Sequence, residues 1–351
     1  MSFTVEVPGK LMVCGEYAVV RGSPAVCLAV ARHARCTFEP AGKGHGLHVY
    51  AMGEGPLRVV VPAAGVIDFV PPPEQAGRWD LVKHVLASHT GALLDGTLTV
   101  DTTAMAQQAV DGGPPLKLGV GSSAAAAVAL TAALDVAAHG GALDDARRRA
   151  WFVSAQRAHL AAQGGVGSGV DVATSALGGV VLYTRPDADP QHALVERLAP
   201  DQLGVVLRVV WTGVAVSTAA LLRKVDAFSM ASPAAASALF AQLDGLARQA
   251  AAAARTGDAA ALMRCLDGYG AAMAELGRAS GADIVTEAHQ RVREVAARHG
   301  CVAKPSGAGG GDVAVVAAPD EAHARDVVAA LQQSGLTVVD LPASASGATL
   351  R

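Results

Sequence analysis

Aromatic and charged residues are both scarce in this chain. Phe, Trp and Tyr make up 4% of the 351 residues and the charged types 17%, whereas hydrophobic residues reach 51%. A disordered chain has few apolar residues and many charges, so this composition indicates a folded protein with a core of Ala, Val and Leu. A chain of this length more often forms two domains than one.

An excess of basic residues is absent as well. The chain holds 28 Lys and Arg against 31 Asp and Glu, which gives a formal net charge of −3. Proteins that bind nucleic acid usually carry a basic face, so we expect no nucleic-acid partner. This net charge does not exclude the binding of a small anion by a few local hydrogen-bond donors.

Cysteine pairs at metal-ligand spacing are also missing. None of the cysteines lies in a CxxC motif, and they are Cys14, Cys27, Cys36, Cys265 and Cys301. We expect reduced, buried thiols in a cytoplasmic protein rather than a disulfide framework or a zinc site. No signal-like segment is visible, and the apolar run from Ala124 to Ala138 is too short and too rich in Ala to span a bilayer. We therefore expect no association with membranes.

The hydrophobic pattern mixes strands and helices irregularly along the chain. Strands are predicted at Phe3 to Val7, Leu11 to Cys14, Val26 to Ala31, Leu57 to Val61, Leu98 to Thr102, Val180 to Tyr183, Val205 to Trp211, Val313 to Ala317 and Leu336 to Asp340. Helices are predicted at Trp79 to His89, Ser122 to Ala138, Asp144 to Gln163, Ala234 to Arg255, Ala259 to Ala279, Ile284 to His299 and Glu321 to Gln333. This mixture favours an α+β fold over a regularly alternating, doubly wound sheet. The segment at 185–190, rich in Pro and Asp, is the predicted domain boundary.

The strongest chemical signal is a glycine-rich loop that leads directly into the alanine-rich helix. It reads Pro115-Leu-Lys-Leu-Gly119-Val-Gly121-Ser122-Ser123-Ala124-Ala125. Two glycines permit a tight turn and the close approach of a ligand, and the free N–H groups at a helix start attract an anion. Because Ser is a common N-cap, a purely structural turn is the alternative.

Two familiar nucleotide motifs fit this loop poorly. The P-loop pattern G-x-x-x-x-G-K-[ST] is absent. The spacing Gly119-x-Gly121-x-x-Ala124 does fit a loose dinucleotide fingerprint. That motif needs a preceding strand and an acidic residue at a later strand end, whereas Asp144 and Asp145, at the expected distance, open a helix. Dinucleotide binding is therefore disfavoured.

Three further segments place charged residues close to glycines in the sequence. Between Lys304 and Asp312, four of the five positions from Gly307 to Gly311 are glycine. That density favours close approach to a ligand over a simple turn. The segment from Gly164 to Asp171 places a carboxylate after a flexible loop. Pro8-Gly9-Lys10 places a lysine at a bend, where a solvated surface lysine is the ordinary interpretation.

Together these elements resemble the GHMP kinase superfamily, and within it most strongly the phosphomevalonate kinases. The resemblance follows the family's order along nearly the whole chain and rests on Val7 to Val20, Lys117 to Ser123, Ala158 to Ala173, Trp211 to Thr218 and Lys304 to Asp312. It implies an α+β fold of two domains, an N-terminal GHMP kinase domain at 1–190 and a ferredoxin-like C-terminal domain at 191–351. The active site would lie in the cleft between them.

The resemblance also implies a reaction and the residues that perform it. The implied reaction is ATP-dependent and Mg²⁺-dependent phosphorylation of phosphomevalonate to diphosphomevalonate, in the mevalonate route to isoprenoids, and a homodimer is left open. Lys10 and Asp171 are the implied catalytic residues, and Ser123 is the implied Mg²⁺ ligand. The implied ATP-binding residues are Lys117, Gly119, Val120, Gly121, Ser122, Ser123 and Ala124. The implied substrate-binding residues are Glu16, Tyr17, Ser168, Gly169, Ser217, Lys304, Ser306, Gly307, Ala308 and Gly309.

The identity of the acceptor leaves alternatives open. Mevalonate kinases typically hold the metal with a Glu upstream of the catalytic Asp, but this sequence has no Asp or Glu from Ala146 to Val170. Gln156 lies in the comparable helix. This favours phosphomevalonate, with mevalonate or another small alcohol as the alternative acceptor. A non-catalytic sensor of the same fold is less favoured, because such relatives often lose the lysine or the aspartate that Lys10 and Asp171 provide here.

A phosphorylated acceptor changes what the catalytic residues must do. The second pKa of a phosphate monoester is about 6, so the acceptor is largely ionised at neutral pH and needs no strong base. Asp171 is therefore predicted to orient Lys10 or Mg²⁺, with a simple helix-capping role as the structural alternative. The acceptor phosphate also needs extra cations, for which the candidates are Lys117, Lys83, His84, Arg21 and Lys304.

Overall fold

The computed structural model describes residues 1–62, 66–89, 94–107, 116–141, 143–214 and 218–351, with the backbone alone for Leu116, Lys117 and Thr218. Its strands are β1 (Phe3–Cys14), β2 (Ala25–Pro40), β3 (Leu47–Ala51), β4 (Glu54–Val60), β5 (Asp68–Val70), β6 (Gly96–Asp101), β7 (Ala106–Gln107), β8 (Leu116–Lys117), β9 (Val180–Thr184), β10 (Leu194–Leu198), β11 (Val206–Trp211), β12 (Val302–Ser306), β13 (Val313–Ala318), β14 (Thr337–Val339) and β15 (Thr349–Leu350). Its helices are α1 (Asp80–Ser88), α2 (Ser122–His139), α3 (Asp145–Ala162), α4 (Val170–Leu177), α5 (Thr218–Ala231), α6 (Pro233–Thr256), α7 (Ala259–Ser280), α8 (Glu287–Arg298) and α9 (Glu321–Gln333). This mixture confirms the predicted α+β class.

The larger sheet is organised around the long strand β2. One side of β2 pairs antiparallel with β1, and the other side pairs with β9 near its start and with β6 near its end. The sheet then continues through β3, β4 and β5, with β3 and β6 parallel. The sequence predicted two strands where β1 is continuous. A register shift between Pro8 and Gly9 explains this, because a bulge accommodates a residue that cannot donate to the ladder.

Helix α2 is the central helix of the first half of the chain. Among the described helices it alone has the length and apolar composition of a membrane span, yet most of it is buried inside the protein. It packs against β1, β2 and α3. Its alanines let the helix backbone approach these neighbours closely, which compensates for the scarcity of large aromatic side chains.

The smaller sheet belongs to the second half of the chain. Its order is β12-β13-β11-β14, and every pair is antiparallel. Helices α5 to α8 connect β11 to β12, and α9 connects β13 to β14. This is the strand order of a ferredoxin-like domain with additional helices, as the sequence predicted.

The last residues of the chain return to the larger sheet. The N–H of Ala31 donates to Pro342, the N–H of Ser344 donates to Ala29, and β15 pairs with β1. Strand β10 pairs with β9, so it too belongs to the larger sheet. The division of the chain after residue 190 stays a prediction. Among the described strands, β1 to β6, β9, β10 and β15 belong to the larger sheet, β7 and β8 pair with each other, and β11 to β14 form the smaller sheet.

The sequence missed nine of these elements but predicted the state of the cysteines. Helices α4 and α5 and strands β3, β5, β7, β8, β10, β12 and β15 were not predicted. The five cysteines are buried and free, as expected for reduced thiols. Burial raises the pKa of the Cys27 thiol to about 11, which keeps it protonated near neutral pH.

Candidate active site

The glycine-rich loop ends in an uncapped helix start. Gly119 and Gly121 have φ of +65° and +75°, a region that L side chains rarely adopt. Gly121 is the N-cap of α2, where no side chain caps the helix and no acidic residue lies in the first turn. The N–H groups of Ser122, Ser123 and Ala124 precede the first intrahelical bond, from Ala125 to Gly121. Such a helix start favours a bound anion.

Lys10 is held directly against this loop by strand β1. Its backbone N–H donates to Val120 at 2.8 Å, and its Nζ donates to the carbonyl of Gly119 at 2.9 Å. The glycines make this approach feasible, because a Cβ at Gly9 would lie 2.8 Å from the Val120 oxygen and one at Gly121 would lie 3.1 Å from Lys10 Cγ. The Lys10 side chain is therefore held against the glycine loop and is not a freely solvated surface lysine.

A cleft of about 720 Å³ lies next to this lysine. It is lined by Lys10, Met12, Glu16, Tyr17, Val20, His159, Gln163, residues 166–171, Ala219, Leu222, Arg223, Asp226, Gly307 and Ala308. Elements of both halves of the chain therefore contribute to its walls. Lys10 reaches both the cleft and the glycine loop, so a group in the cleft and an anion at α2 would share its charge.

Asp171 lies in the first turn of α4 and lines the same cleft. Gly169, the N-cap of α4, has φ of +89° and packs so closely on Gln156 that a Cβ there would lie 2.7 Å from the amide carbon. One Asp171 oxygen accepts the N–H of Val172 at 3.0 Å. The carboxylate thus both contacts the helix start, as the structural alternative supposed, and faces the cleft.

The C-terminal glycine loop closes the other end of the cleft. Gly309 packs against the Ile284 carbonyl with no room for a side chain, since a Cβ there would clash with that oxygen. The hydroxyl of Tyr17 donates to the carbonyl of Ala308 at 2.5 Å. Burial and the nearby Glu16 raise the pKa of Tyr17, so the phenol keeps its proton for this bond. The loop is thereby fixed against the chain segment that follows β1.

A buried ion pair supports this arrangement. Lys304 Nζ lies 2.6 Å from Glu16 Oε1, and the same oxygen accepts the N–H of Gly307 at 3.2 Å. The second oxygen, Glu16 Oε2, is buried and has no hydrogen-bond partner among the described residues. Ser306 donates to the carbonyl of Met12 at 2.8 Å. Glu16 therefore lines the cleft with its charge balanced from behind by Lys304.

Ser123 contacts a buried histidine on α3. Its Oγ lies 3.1 Å from His159 Nε2, and Gln163 Nε2 lies 3.3 Å from the same ring nitrogen. Gln156, which the sequence placed at the comparable position, faces Gly169 instead, with both amide atoms buried and without partners among the described residues. The helix therefore presents His159 rather than Gln156 to the glycine loop.

Comparison with known families explains these combined features. The GHMP kinases N terminal domain matches residues 82–179, and the GHMP kinases C terminal domain matches residues 250–336, together more than half of the chain. The chain belongs to the GHMP kinase family. As a GHMP kinase it is a phosphotransferase.

Individual relatives of this GHMP kinase bear two different names. A phosphomevalonate kinase from Streptomyces sp. (strain CL190) is 31% identical and covers 91% of this chain and 90% of its own. A mevalonate kinase from Aeropyrum pernix is also 31% identical and covers 87% of this chain and 85% of its own. The structure of Streptococcus pneumoniae phosphomevalonate kinase in complex with phosphomevalonate and AMPPNP has a TM-score of 0.76 at 17% identity, covering 97% of this chain and 99% of that one.

The site residues predicted from the sequence fall into three groups in this GHMP kinase. Those that line the cleft are Lys10, Glu16, Tyr17, Ser168, Gly169, Asp171, Gly307 and Ala308. Those that lie beside it, in the glycine loops or the buried support, are Gly119, Val120, Gly121, Ser122, Ser123, Ala124, Lys304, Ser306 and Gly309. Ser217 and the side chain of Lys117 lie outside the described residues, so their roles stay predictions without a position.

Four of the five cations predicted for an acceptor phosphate do not line the cleft, and the side chain of the fifth, Lys117, lies outside the described residues. Lys83 pairs with Asp68 at 3.5 Å, and the Arg21 guanidinium stacks 3.7 Å from the Phe240 ring centre. Neither these side chains nor His84 and Lys304 line the cleft as the described residues form it. Arg223 does line it, and sequence reasoning missed it because α5 was not predicted. The spacing of Ala219, Leu222, Arg223 and Asp226 on one helical face is the signal that could have found it.

Proposed function

We propose that this GHMP kinase transfers the γ-phosphoryl group of ATP to phosphomevalonate and forms diphosphomevalonate, a step of the mevalonate route to isoprenoids. Support comes from the Streptomyces relative named phosphomevalonate kinase. A second support is the fold shared with the Streptococcus pneumoniae enzyme in complex with phosphomevalonate and AMPPNP. The cytoplasmic location and the homodimer stay predictions beside this proposal.

Arg223 is the observation that carries the choice of acceptor. Among the residues described in the cleft, Lys10 is committed to the glycine loop, Glu16 is balanced by Lys304, and Asp171 and Asp226 bring negative charge. An acceptor that already carries a phosphate dianion would be repelled unless a second cation receives it. A guanidinium binds phosphate through two parallel hydrogen bonds and stays charged at every physiological pH. Arg223 supplies that group on the α5 wall.

The rest of the cleft suits a small branched acid. Met12, Val20, Val166 and Leu222 give it an apolar wall, against which the hydrocarbon part of the acceptor would pack. Lys304 neutralises Glu16 from behind, so Glu16 can accept a hydrogen bond from an acceptor hydroxyl without adding a full net charge. Glu16 and Asp171 are the two carboxylates that the first half of the chain contributes to this cleft. Among the described residues Glu16 is paired with a lysine and Asp171 is not, so the net negative charge of this wall lies at Asp171.

The donor site would hold ATP and Mg²⁺. The N–H groups of Ser122 to Ala124 would receive the phosphates, and Lys10 would stabilise the charge that develops on the transferred group. The residues fit a magnesium ion, because the exposed Ser123 hydroxyl and the Asp171 carboxylate are hard oxygen donors. When bound, the metal would neutralise phosphate charge during transfer. Asp171 would orient Lys10 rather than remove a proton, since the acceptor phosphate is already ionised.

The deciding experiment is an ADP-release assay with phosphomevalonate, mevalonate, homoserine and galactose as acceptors. We expect turnover with phosphomevalonate and little with the others. Arg223→Met should raise the KM for phosphomevalonate roughly 10- to 100-fold with a smaller change in kcat, because a charged hydrogen bond is lost. Lys224→Met is the matched control, since it removes the neighbouring charge, whose Nζ donates outward to Gly281 at 3.0 Å.

The second candidate is mevalonate kinase activity, which the equally similar Aeropyrum relative favours. Turnover of mevalonate but not of its phosphate would establish it and overturn the proposal. An unchanged KM for phosphomevalonate in Arg223→Met would leave the acceptor intact but remove Arg223 as its phosphate ligand.

A further inference from the structure

The end of strand β9 directs two hydrogen-bond donors at the loop that precedes Asp171. The hydroxyl of Tyr183 donates to the carbonyl of Ser168 at 2.7 Å. The guanidinium of Arg185, which directly follows the strand, donates to the carbonyl of Gly167 at 2.8 Å. Both carbonyls belong to residues that line the cleft. Two consecutive peptide units of one cleft wall are therefore held from behind by neighbouring side chains.

The chain between these bonds and Asp171 packs directly on Tyr183. Gly169 has φ of +89°, and a Cβ at this position would lie 2.9 Å from the Tyr183 hydroxyl oxygen. Gly169 is the N-cap of α4, and Asp171 lies in the first turn of that helix. The Tyr183 hydroxyl therefore contacts the chain at the point where the helix that carries Asp171 begins.

The orientation of Asp171 depends on this helix start. Among the described residues the Asp171 carboxylate has one hydrogen-bond partner, the N–H of Val172 at 3.0 Å, and that partner lies in α4 itself. A shift of the helix start would therefore move the carboxylate with it. Misplacement of a reacting group by about 1 Å can slow an enzyme on the order of 10²-fold, so a small shift here would be measurable.

Tyr183 has the properties of a fixed donor. Its side chain is buried, and the Phe152 ring meets it edge-on with 6.3 Å between the ring centres. Burial raises the pKa of Tyr183, so the hydroxyl keeps its proton near neutral pH. Neither Tyr183 nor Arg185 is among the described residues that line the cleft. Both side chains can therefore affect the reaction only through the loop that they hold.

We propose that Tyr183, with Arg185 beside it, is a positioning residue of the phosphoryl transfer that acts through Asp171. It fixes the Ser168 carbonyl, and thereby the start of α4, in the position that the pairing of Asp171 with Lys10 requires. The inference rests on the Lys10 and Asp171 unit of the proposed function and applies to either candidate acceptor.

Tyr183→Phe tests this role, because it removes one hydroxyl and keeps the packed ring. We expect kcat to fall about tenfold and the KM for ATP to stay within about twofold. Tyr50→Phe is the matched control and should leave kcat unchanged, since Tyr50 lies in β3 and is 40% exposed. An unchanged kcat in Tyr183→Phe, or a raised KM for the acceptor as its only effect, would overturn the proposal.

A double-variant cycle shows whether the effect passes through Asp171. In the Asp171→Asn background, Tyr183→Phe should lower kcat by less than about twofold, because residues that act as one unit are not additive. Tyr269→Phe removes the same group from another buried tyrosine, whose hydroxyl donates to the Glu16 carbonyl at 2.6 Å. Any loss of kcat that it causes should be the same in both backgrounds. A full tenfold loss from Tyr183→Phe in the Asp171→Asn background would overturn the positioning role.

Arg185→Gln protects the test against misfolding, because Arg185 is only half-buried. It should lower kcat severalfold at an unchanged thermal midpoint and should lose this effect in the Asp171→Asn background. Equal losses in both backgrounds would overturn the proposal. If Asp171→Asn alone kept full activity, the Lys10 and Asp171 unit itself would fail and this inference with it. That result differs from a slow Asp171→Asn variant in which Tyr183→Phe still costs tenfold, which would refute the positioning role alone.

Discussion

The ammonium of Lys304 lies 2.6 Å from the carboxylate of Glu16, and the two side chains are 0% and 2% exposed. Glu16 follows β1 of the larger sheet, and Lys304 is in β12 of the smaller one. The pair therefore joins the two sheets beneath the cleft, and Tyr269 reinforces it by donating to the Glu16 carbonyl at 2.6 Å. A charge buried at this depth depends on its partner, because water cannot replace it.

Removing one member of this pair should destabilise the protein strongly. Lys304→Met leaves the Glu16 carboxylate buried without a counter-ion, and we expect the free energy of unfolding to fall by about 3–5 kcal/mol. Lys304→Met combined with Glu16→Gln should be less destabilised than Lys304→Met alone, because the stranded charge is gone. Urea unfolding measures both. Lys83→Met, which breaks the exposed pair with Asp68, is the control and should cost under about 1 kcal/mol. Strict additivity of the two buried substitutions would refute this account.

Lys10 and Asp171 should behave as one catalytic unit. Lys10→Met removes the charge that we propose acts on the transferred group, and we expect kcat to fall on the order of 10²-fold or more. ADP binding should change less, since the backbone of the glycine loop still holds the phosphates. If Asp171 acts by orienting Lys10, the Lys10→Met/Asp171→Asn double variant should be scarcely slower than the slower single variant. Steady-state kinetics at an unchanged thermal midpoint provides the measurement. Multiplying losses would show that the two residues act independently.

Gly121 should be needed for catalysis and not only for folding. Alanine at this left-handed position costs about 1–2 kcal/mol of backbone strain, and its Cβ would also displace Lys10, whose Cγ lies 3.1 Å away. Gly281→Ala is the matched control, because Gly281 has φ of +65° with no atom within 4 Å of its Cβ position. Both variants should lose similar stability in thermal unfolding. Only Gly121→Ala should also lower kcat, by about tenfold or more. Equal kcat values in the two variants would show that the loop conformation at Gly121 does not contribute to catalysis.

Local patterns predicted much of this fold, because glycine loops and long helices are encoded by neighbouring residues. Helix α2 and the loop before it could be predicted from a run of alanines and two glycines alone. The contacts between distant segments could not be predicted in this way. Lys304 and Glu16 are separated by 288 positions, and nothing local to either indicates that it is buried.

Helix phase explains the remaining errors at the site. Gln156 and His159 lie one turn apart on α3, yet one faces Gly169 and the other faces Ser123. Which face meets the glycine loop is decided by how α3 packs on α2, and that packing is a tertiary property. Arg223 was missed for a related reason, since its importance depends on where α5 lies relative to the cleft.

His289 should make the protein less stable in mild acid. Its side chain is buried at the start of α8, where its Nδ1 lies 2.9 Å from Thr286 Oγ1. Burial, aided by the positive charge of Lys304, lowers the pKa of His289 from 6.5 to about 4. Below pH 6.5 His289 therefore binds a proton in the unfolded chain but stays unprotonated in the folded protein until the pH approaches 4. The free energy of unfolding should be unaffected above pH 7 and should decrease as the pH falls towards 4, by about 3 kcal/mol from this group.

The variant His289→Gln isolates this contribution from the carboxylates that titrate in the same range. Glutamine three residues after a threonine N-cap completes a standard capping box, so the start of α8 should be preserved while the titrating ring is removed. Urea unfolding at intervals from pH 7.5 to pH 4.5 should give a shallower pH dependence for the variant, and the difference from the unmutated protein should open only below pH 6.5, the ordinary value for histidine. Parallel curves across that range would mean that His289 accepts its proton as readily in the folded protein as in the unfolded chain.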